Sequence, residues 1–215
     1  MTTTATLEHW KAIAAERRAL ADDLDGLSEL QWQTPSLCSE WTVRQLVGHL
    51  VVLQKISVPK LFLETAKARG NFDRANSKLA IREGVRPTAD LVADLRRLAE
   101  GRFTAPGFSS SAPLTDILIH SQDIRLPLGL PSEQPVEPYR HVLDLLVTKK
   151  ARGAFVPKQL PPVRFAPNDL DWSFGEGDTV AGTAANIALA MTGRVATLDA
   201  LSGAGQPTFA AWTRG

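Results

Sequence analysis

A single cysteine, Cys38, stands in 215 residues. It cannot close an internal disulfide and leaves no cysteine cluster for a structural zinc site, a usage that fits a reducing compartment. Any metal here is therefore expected on histidine and carboxylate. Excess charge of either sign is also lacking, since 24 Lys and Arg face 23 Asp and Glu for a formal net charge of +1. That balance speaks against nucleic acid and membrane surfaces as partners. No window approaches about 18 uninterrupted apolar residues, and no positively charged opening precedes a hydrophobic stretch. A soluble, cytoplasmic protein is expected. Ser109, Ser110 and Ser111 lack the G-x-S-x-G elbow of serine hydrolases. Gly175-Glu-Gly177 and Gly203-Ala-Gly205 lack the Lys-Ser/Thr of a phosphate loop and the third glycine of a dinucleotide fingerprint, so both read as turns. Trp10, Trp32 and Trp41 are not interleaved with the basic residues that stacking on single-stranded nucleic acid would want, and they read as core and rim. Internal repeats and low-complexity tracts are missing as well.

What is present is 44% hydrophobic residues, enough for a substantial core. Thr4 to Leu24 repeats apolar side chains at helical spacing and stops before Gly26. Ser28-Glu-Leu-Gln31 is a capping box for a short helical turn, followed by a loop from Gln33 to Trp41. Thr42-Val-Arg-Gln45 is a second capping box, opening a long helix toward Arg69 with Gly70 as its stop and Pro59 as a bend. Phe72 to Glu83 is mixed in character, Pro87-Thr88 restarts a helix to about Gly101, and Thr104 to Ser111 is a loop. Four main helices joined in this way suggest a bundle, in which sites are built from facing helices.

The last of them, in Pro113 to Gly129, carries its polar residues on an inward stripe. At about 100° per residue, Asp116, His120 and Asp123 fall within roughly 60° of one another, flanked by Ile117 and Ile124. Such groups seldom go inside without a partner. In the long second helix, His49 lies among Leu46, Leu50 and Leu53, so it too looks inward. Asp116 and His120, at i and i+4, can reach one ion, and His49 would complete a His₂-carboxylate set with an open position, the pattern of catalytic zinc. Asp123 would orient His120 or serve as an alternative ligand. The other reading makes His49 and His120 core histidines bonded to Asp116 and Asp123. His9 and His141 read as solvated or capping groups. Cys38 is either activated by the helix that follows it or an inert small hydrophobe.

After Gly129, Pro131, Pro135 and Pro138 with Glu133 and Glu137 read as a linker. This divides a helical bundle at 1–130 from a small α+β domain at 136–215. In the second region Tyr139 to about Ala151 is helical. Val163 to Phe165 and Leu170 to Phe174 alternate like a hairpin around Asn168-Asp169. Gly182 to Thr192 is an Ala-rich helix ended by Gly193, with short helices at Leu198–Leu201 and Phe209–Trp212.

Three stretches carry a family resemblance: Pro35 to Leu50, including Cys38, Trp41 and His49; Asp116 to Arg125; and Asp171 to Gly177 with Gly193-Arg194 and Leu201-Ser-Gly203. With them the chain resembles the mycothiol-dependent maleylpyruvate isomerase family, whose fold is a DinB-like metal-binding four-helix bundle. The resemblance implies a mainly α protein holding a divalent ion, usually zinc, on His49, Asp116 and His120. The isomerase has Glu where this chain has Asp116, shorter by one methylene, so either the helices sit closer or water bridges the gap. The implied activity is a zinc-dependent reaction with a low-molecular-weight thiol, mycothiol, as cosubstrate and a small electrophile as substrate: cis–trans isomerisation or thiol S-transfer by a monomer or homodimer. Arg125 and Arg194 are candidate clamps for an acidic substrate, or surface salt bridges. Two other classes stay open: a metal-free module binding an apolar small molecule, and a zinc hydrolase with Asp123 as general base.

Overall fold

The computed structural model describes residues 2–38 and 40–215, which leaves Ser39 of the Pro35 to Trp41 stretch outside. The chain divides into two compact units, residues 1–132 and 133–215.

The first unit contains α1 (Thr2–Leu24), α2 (Glu29–Trp32), α3 (Val43–Lys55), α4 (Val58–Lys67), α5 (Phe72–Gly84), α6 (Thr88–Arg97) and α7 (Ser111–Leu128). α1 packs on α6 and α7, and α3 packs on the same two, so these four helices close a ring. α5 lies along α3 outside that ring. Both capping boxes are formed: Ser28 accepts from the Gln31 N–H and Thr42 from the Gln45 N–H, and each glutamine side chain returns to the cap. α3 buries Leu46, Val47, Leu50 and Val51, each contributing about 1.5–3 kcal/mol relative to exposure. Buried charge ties the ring together. Arg125 on α7 donates to Glu16 at 2.5 Å and Asp23 at 2.7 Å on α1. Asp94 on α6 collects Arg97 at 2.6 Å, Arg86 at 2.7 Å and Lys55 of α3 at 3.3 Å.

Two expectations for this unit are corrected. Pro59 does not bend one long helix; the helix stops at Lys55, Ile56 is extended (ψ 134°), and α4 starts afresh with the proline in its first turn. A proline ring clashes with the carbonyl four residues back, which here is Lys55. The mixed segment is a full helix, α5, started by Asn71, whose side chain accepts from the Arg74 N–H. α5 approaches α3 closely because both carry glycine at the contact. A Cβ on Gly48 would stand 2.6 Å from the Ala80 carbonyl oxygen and 2.7 Å from the Gly84 nitrogen. Arg44 of α3 fastens the far end, donating to the Gly84 carbonyl at 2.6 Å and the Arg86 carbonyl at 2.8 Å.

The second unit contains α8 (Pro138–Leu146), β1 (Arg164–Pro167), β2 (Thr179–Gly182), α9 (Ala184–Met191), a 3₁₀ turn at Val195–Ala200 and α10 (Gln206–Arg214). β1 and β2 pair in parallel, with Arg164 opposite Thr179 and Pro167 opposite Gly182. The expected hairpin is thus corrected. Phe174 returns to Phe165 through a single antiparallel bridge, and the chain runs on to pair its next segment in parallel. Phe165 is buried against Phe209, their ring centroids 4.9 Å apart and edge to face. Among the described residues no helix is long and apolar enough to cross a membrane.

Candidate metal centre

Three potential ligand atoms converge between α3 and α7. His49 Nε2 stands 3.3 Å from Asp116 Oδ1, and His120 Nε2 stands 3.5 Å from the same oxygen. The His49 and His120 rings are edge to face with centroids 5.1 Å apart. His49 is buried at 2% exposure, and Asp116 keeps a quarter of its side chain open. The Asp116 side chain, one methylene shorter than Glu, reaches the opposing histidine directly.

The far nitrogen of each ring has its own acceptor. His49 Nδ1 lies 3.0 Å from Asn76 Oδ1 on α5, and His120 Nδ1 lies 2.8 Å from Asp123 Oδ2. With an acceptor at each Nδ1, a metal taking the Nε2 atoms would leave the ring protons on Nδ1; without one, His49 Nε2 is placed to hydrogen-bond the Asp116 carboxylate. Four tetrahedral ligands at about 2.0–2.1 Å from zinc lie about 3.3 Å apart. The spacings of 3.3 and 3.5 Å fit that geometry, and His₂-carboxylate is a donor set zinc accepts. His49, Asp116 and His120 thus form a group able to hold a metal.

Electrostatics agree with a cation-seeking cluster. Burial would raise the Asp116 pKa, but the charge and hydrogen bond of His49, then His120 and Arg17, hold it at about 2. Arg17, 3% exposed on α1, donates through Nη1 to the carbonyls of Ala99 at 2.9 Å and Gly101 at 2.8 Å beyond α6. Its desolvation brings the guanidinium pKa down to about 10 against the opposing pull of Asp116 and Glu100.

Of the residues singled out in the sequence, His49, Asp116 and His120 meet in this group, and Asp123 sits behind His120, wholly buried. Arg125 has another role: its guanidinium is 3% exposed and its charge is balanced by Glu16 and Asp23, so it does not present a free clamp to an acidic substrate. Arg194 lies in the second unit before the 3₁₀ turn and donates to the Thr192 carbonyl at 2.6 Å. His9 is not solvated; it is 8% exposed and bonds Ser110 Oγ at 2.8 Å through Nδ1. Two contributors escaped the sequence reading. Trp41 stacks on His49 with centroids 4.9 Å apart and planes 25° apart, and stands tilted 6.1 Å from His120. Asn76 had one available signal, its place beside Ala75, Leu79 and Ala80 on the buried stripe of α5.

A closed ring of four helices with two imidazoles and a carboxylate converging between two of them defines a helical bundle with a candidate metal centre. Residues 13–107 match the family described as Mycothiol maleylpyruvate isomerase N-terminal domain, and this supports the family that the sequence resembles. The matched segment carries Cys38, His49 and Asn76 and ends before α7. Comparison with curated proteins gave no match, and comparison with solved structures gave none.

Proposed function

We propose that this chain is a zinc-dependent enzyme that uses a low-molecular-weight thiol, mycothiol on the family likeness, in a maleylpyruvate-isomerase-like cis–trans isomerisation or a thiol S-transfer. One observation carries the proposal: His49 Nε2, His120 Nε2 and Asp116 Oδ1 converge at ligand spacing. His49, Asp116 and His120 would hold a zinc ion with a position left open, where it would supply stabilisation of a thiol in its thiolate form at neutral pH. The chain's own residues prepare that arrangement. Asn76 and Asp123 stand as acceptors at the two Nδ1 atoms and, with a metal on the Nε2 atoms, would hold the ring protons on Nδ1. Trp41 covers one face of His49 and excludes water from it. The exposed quarter of Asp116 marks an approach from solvent. Arg17 places positive charge within electrostatic reach of Asp116, which favours an anionic thiolate or an acidic substrate there.

The chemistry such a thiolate performs is addition and elimination. Its sulfur would form a bond to the β carbon of a cis double bond conjugated to a carbonyl, the π pair moving onto the carbonyl oxygen as an enolate, which leaves a carbon–carbon single bond that rotates. Loss of the same sulfur restores the double bond as trans. With an electrophile that carries a leaving group, attack by the same sulfur gives S-transfer instead.

The test is zinc content and mycothiol-dependent turnover of maleylpyruvate in the wild type and in the Asp116→Ala and His120→Ala variants. Near-stoichiometric zinc with thiol-dependent turnover is expected in the wild type, and loss of both in the variants. Retained zinc in both folded variants refutes the ligand assignment. Less than about a tenth of an equivalent in the wild type, with no zinc-induced rise in melting temperature, favours a metal-free binding module. Turnover without added thiol replaces thiol chemistry with hydrolysis.

A further inference from the structure

The loop before α3 brings a second donor set to His120. Cys38 Sγ, a ring nitrogen of His120 and a carboxylate oxygen of Asp123 all lie within 4.8 Å of one another. This loop is pinned to α7 at the residue that supplies the carboxylate: the Leu37 N–H donates to the Asp123 carbonyl at 3.1 Å. Ser36 Oγ also bonds the carbonyls of Cys38 at 3.0 Å and Trp41 at 2.8 Å, holding the loop's shape. Cys38 is half-buried, and Asp123 is fully buried.

We propose that Cys38, His120 and Asp123 form a second metal position, selective for a thiophilic divalent ion and alternative to the one at His49, Asp116 and His120. Thiolate, imidazole and carboxylate together bring two negative charges to a doubly charged ion, so the assembly is neutral where Asp123 is buried. The first set brings only one. A soft sulfur ligand favours ions of the cadmium or zinc type over harder ones.

The two positions share a single ring, and that makes them exclusive. His120 Nε2 faces Asp116 at 3.5 Å, and Nδ1 faces Asp123 at 2.8 Å. A neutral imidazole has one lone pair. With an ion in the first position the proton stays on Nδ1, bonded to Asp123. An ion in the second position takes Nδ1, and the ring proton then sits on Nε2, pointing at Asp116. To admit an ion, His120 Nδ1 and Asp123 need only open from 2.8 Å by about half an ångström toward tetrahedral ligand spacing. The inference stands on the donors alone and does not need the thiol-transfer reading.

The test is titration of metal-free full-length protein with Cd²⁺ and Co²⁺, following sulfur-to-metal charge transfer in the ultraviolet. Wild type is expected to bind one equivalent of Cd²⁺ with that band. His49→Ala, which lacks a ligand of the first position, is expected to keep the band with both ions. Cys38→Ser is expected to lose it while retaining the weak visible bands of Co²⁺ at the first position. Loss of those visible bands in folded Cys38→Ser would count against the first site, not this one. Identical Cd²⁺ spectra for wild type and Cys38→Ser overturn the proposal, and simultaneous binding of two equivalents overturns the exclusivity. Alkylation of Cys38 in the unaltered protein gives an independent reading that needs no variant. Saturating Cd²⁺ is expected to slow it about tenfold or more, because a coordinated thiolate is withdrawn from reaction. Equal rates with and without Cd²⁺ overturn the assignment.

Discussion

Gly48→Ala is the sharpest single test of how the centre is held. Helix propensity alone makes the exchange favourable by about 1 kcal/mol, since glycine is the poorer helix former. The structure reverses that sign. The new Cβ would lie 2.6 Å from the Ala80 carbonyl oxygen and 2.7 Å from the Gly84 nitrogen, against an ordinary contact that begins near 3.4 Å. Both obstacles are backbone of α5, so no side chain can swing aside, and α5 must retreat by 3.4 − 2.6 = 0.8 Å. Overpacking of this kind costs about 1–3 kcal/mol. After the propensity gain the net loss is up to about 2 kcal/mol, a fall in Tm of about 2–4 °C per kcal/mol for a chain this size. Retreat of α5 also draws Asn76 away from His49 Nδ1, which now lies 3.0 Å from its oxygen. Zinc affinity should therefore fall with stability. Urea unfolding of the metal-free protein and chelator competition for zinc measure the two separately. A Gly48→Ala variant more stable than wild type, by the propensity gain of about 1 kcal/mol, would show that α3 and α5 do not meet through this glycine.

Asn76→Ala removes the acceptor behind His49 without touching a ligand, and should weaken zinc binding about 10- to 100-fold, measured by chelator competition. Arg125→Met leaves Glu16 and Asp23 without their cation, and breaking such a buried set costs about 3–5 kcal/mol in urea unfolding. Asp94 gives a pH signature. Against a desolvation that raises it, hydrogen bonds from Arg97, Arg86 and Lys55 bring its pKa from 3.8 to about 2. A lowered folded pKa stabilises above the unfolded value, so a contribution of about 2 kcal/mol is complete above about pH 4 and lost as pH falls toward about 2. The stability gap between wild type and Asp94→Asn should accordingly shrink across that window, and a constant gap would contradict the ion network.

What could be read from the sequence was local or periodic. The Thr42/Gln45 and Ser28/Gln31 boxes are complete within four residues, and the inward stripe of Asp116, His120 and Asp123 follows from helical geometry alone. His49 was legible because leucines flank it on the same face. Asn76 was not, because an amide on a mixed helix gains a direction only when a neighbour arrives, and that neighbour depends on the glycine contact between α3 and α5. The parallel pairing of β1 and β2 was hidden for a similar reason. Asn168-Asp169 carries turn chemistry that looks like a hairpin, whereas the choice of partner strand is made by packing beyond the turn. Pro59 marked the right place and the wrong outcome, since a proline signals interruption without saying whether the chain bends or restarts.

Arg17 belongs to α1, yet its guanidinium is anchored by the carbonyls that follow α6. The field felt by the carboxylate at 116 is therefore inherited from a helix that donates no ligand. Rebuilding the end of α6, even with every donor left in place, would retune the centre from a distance.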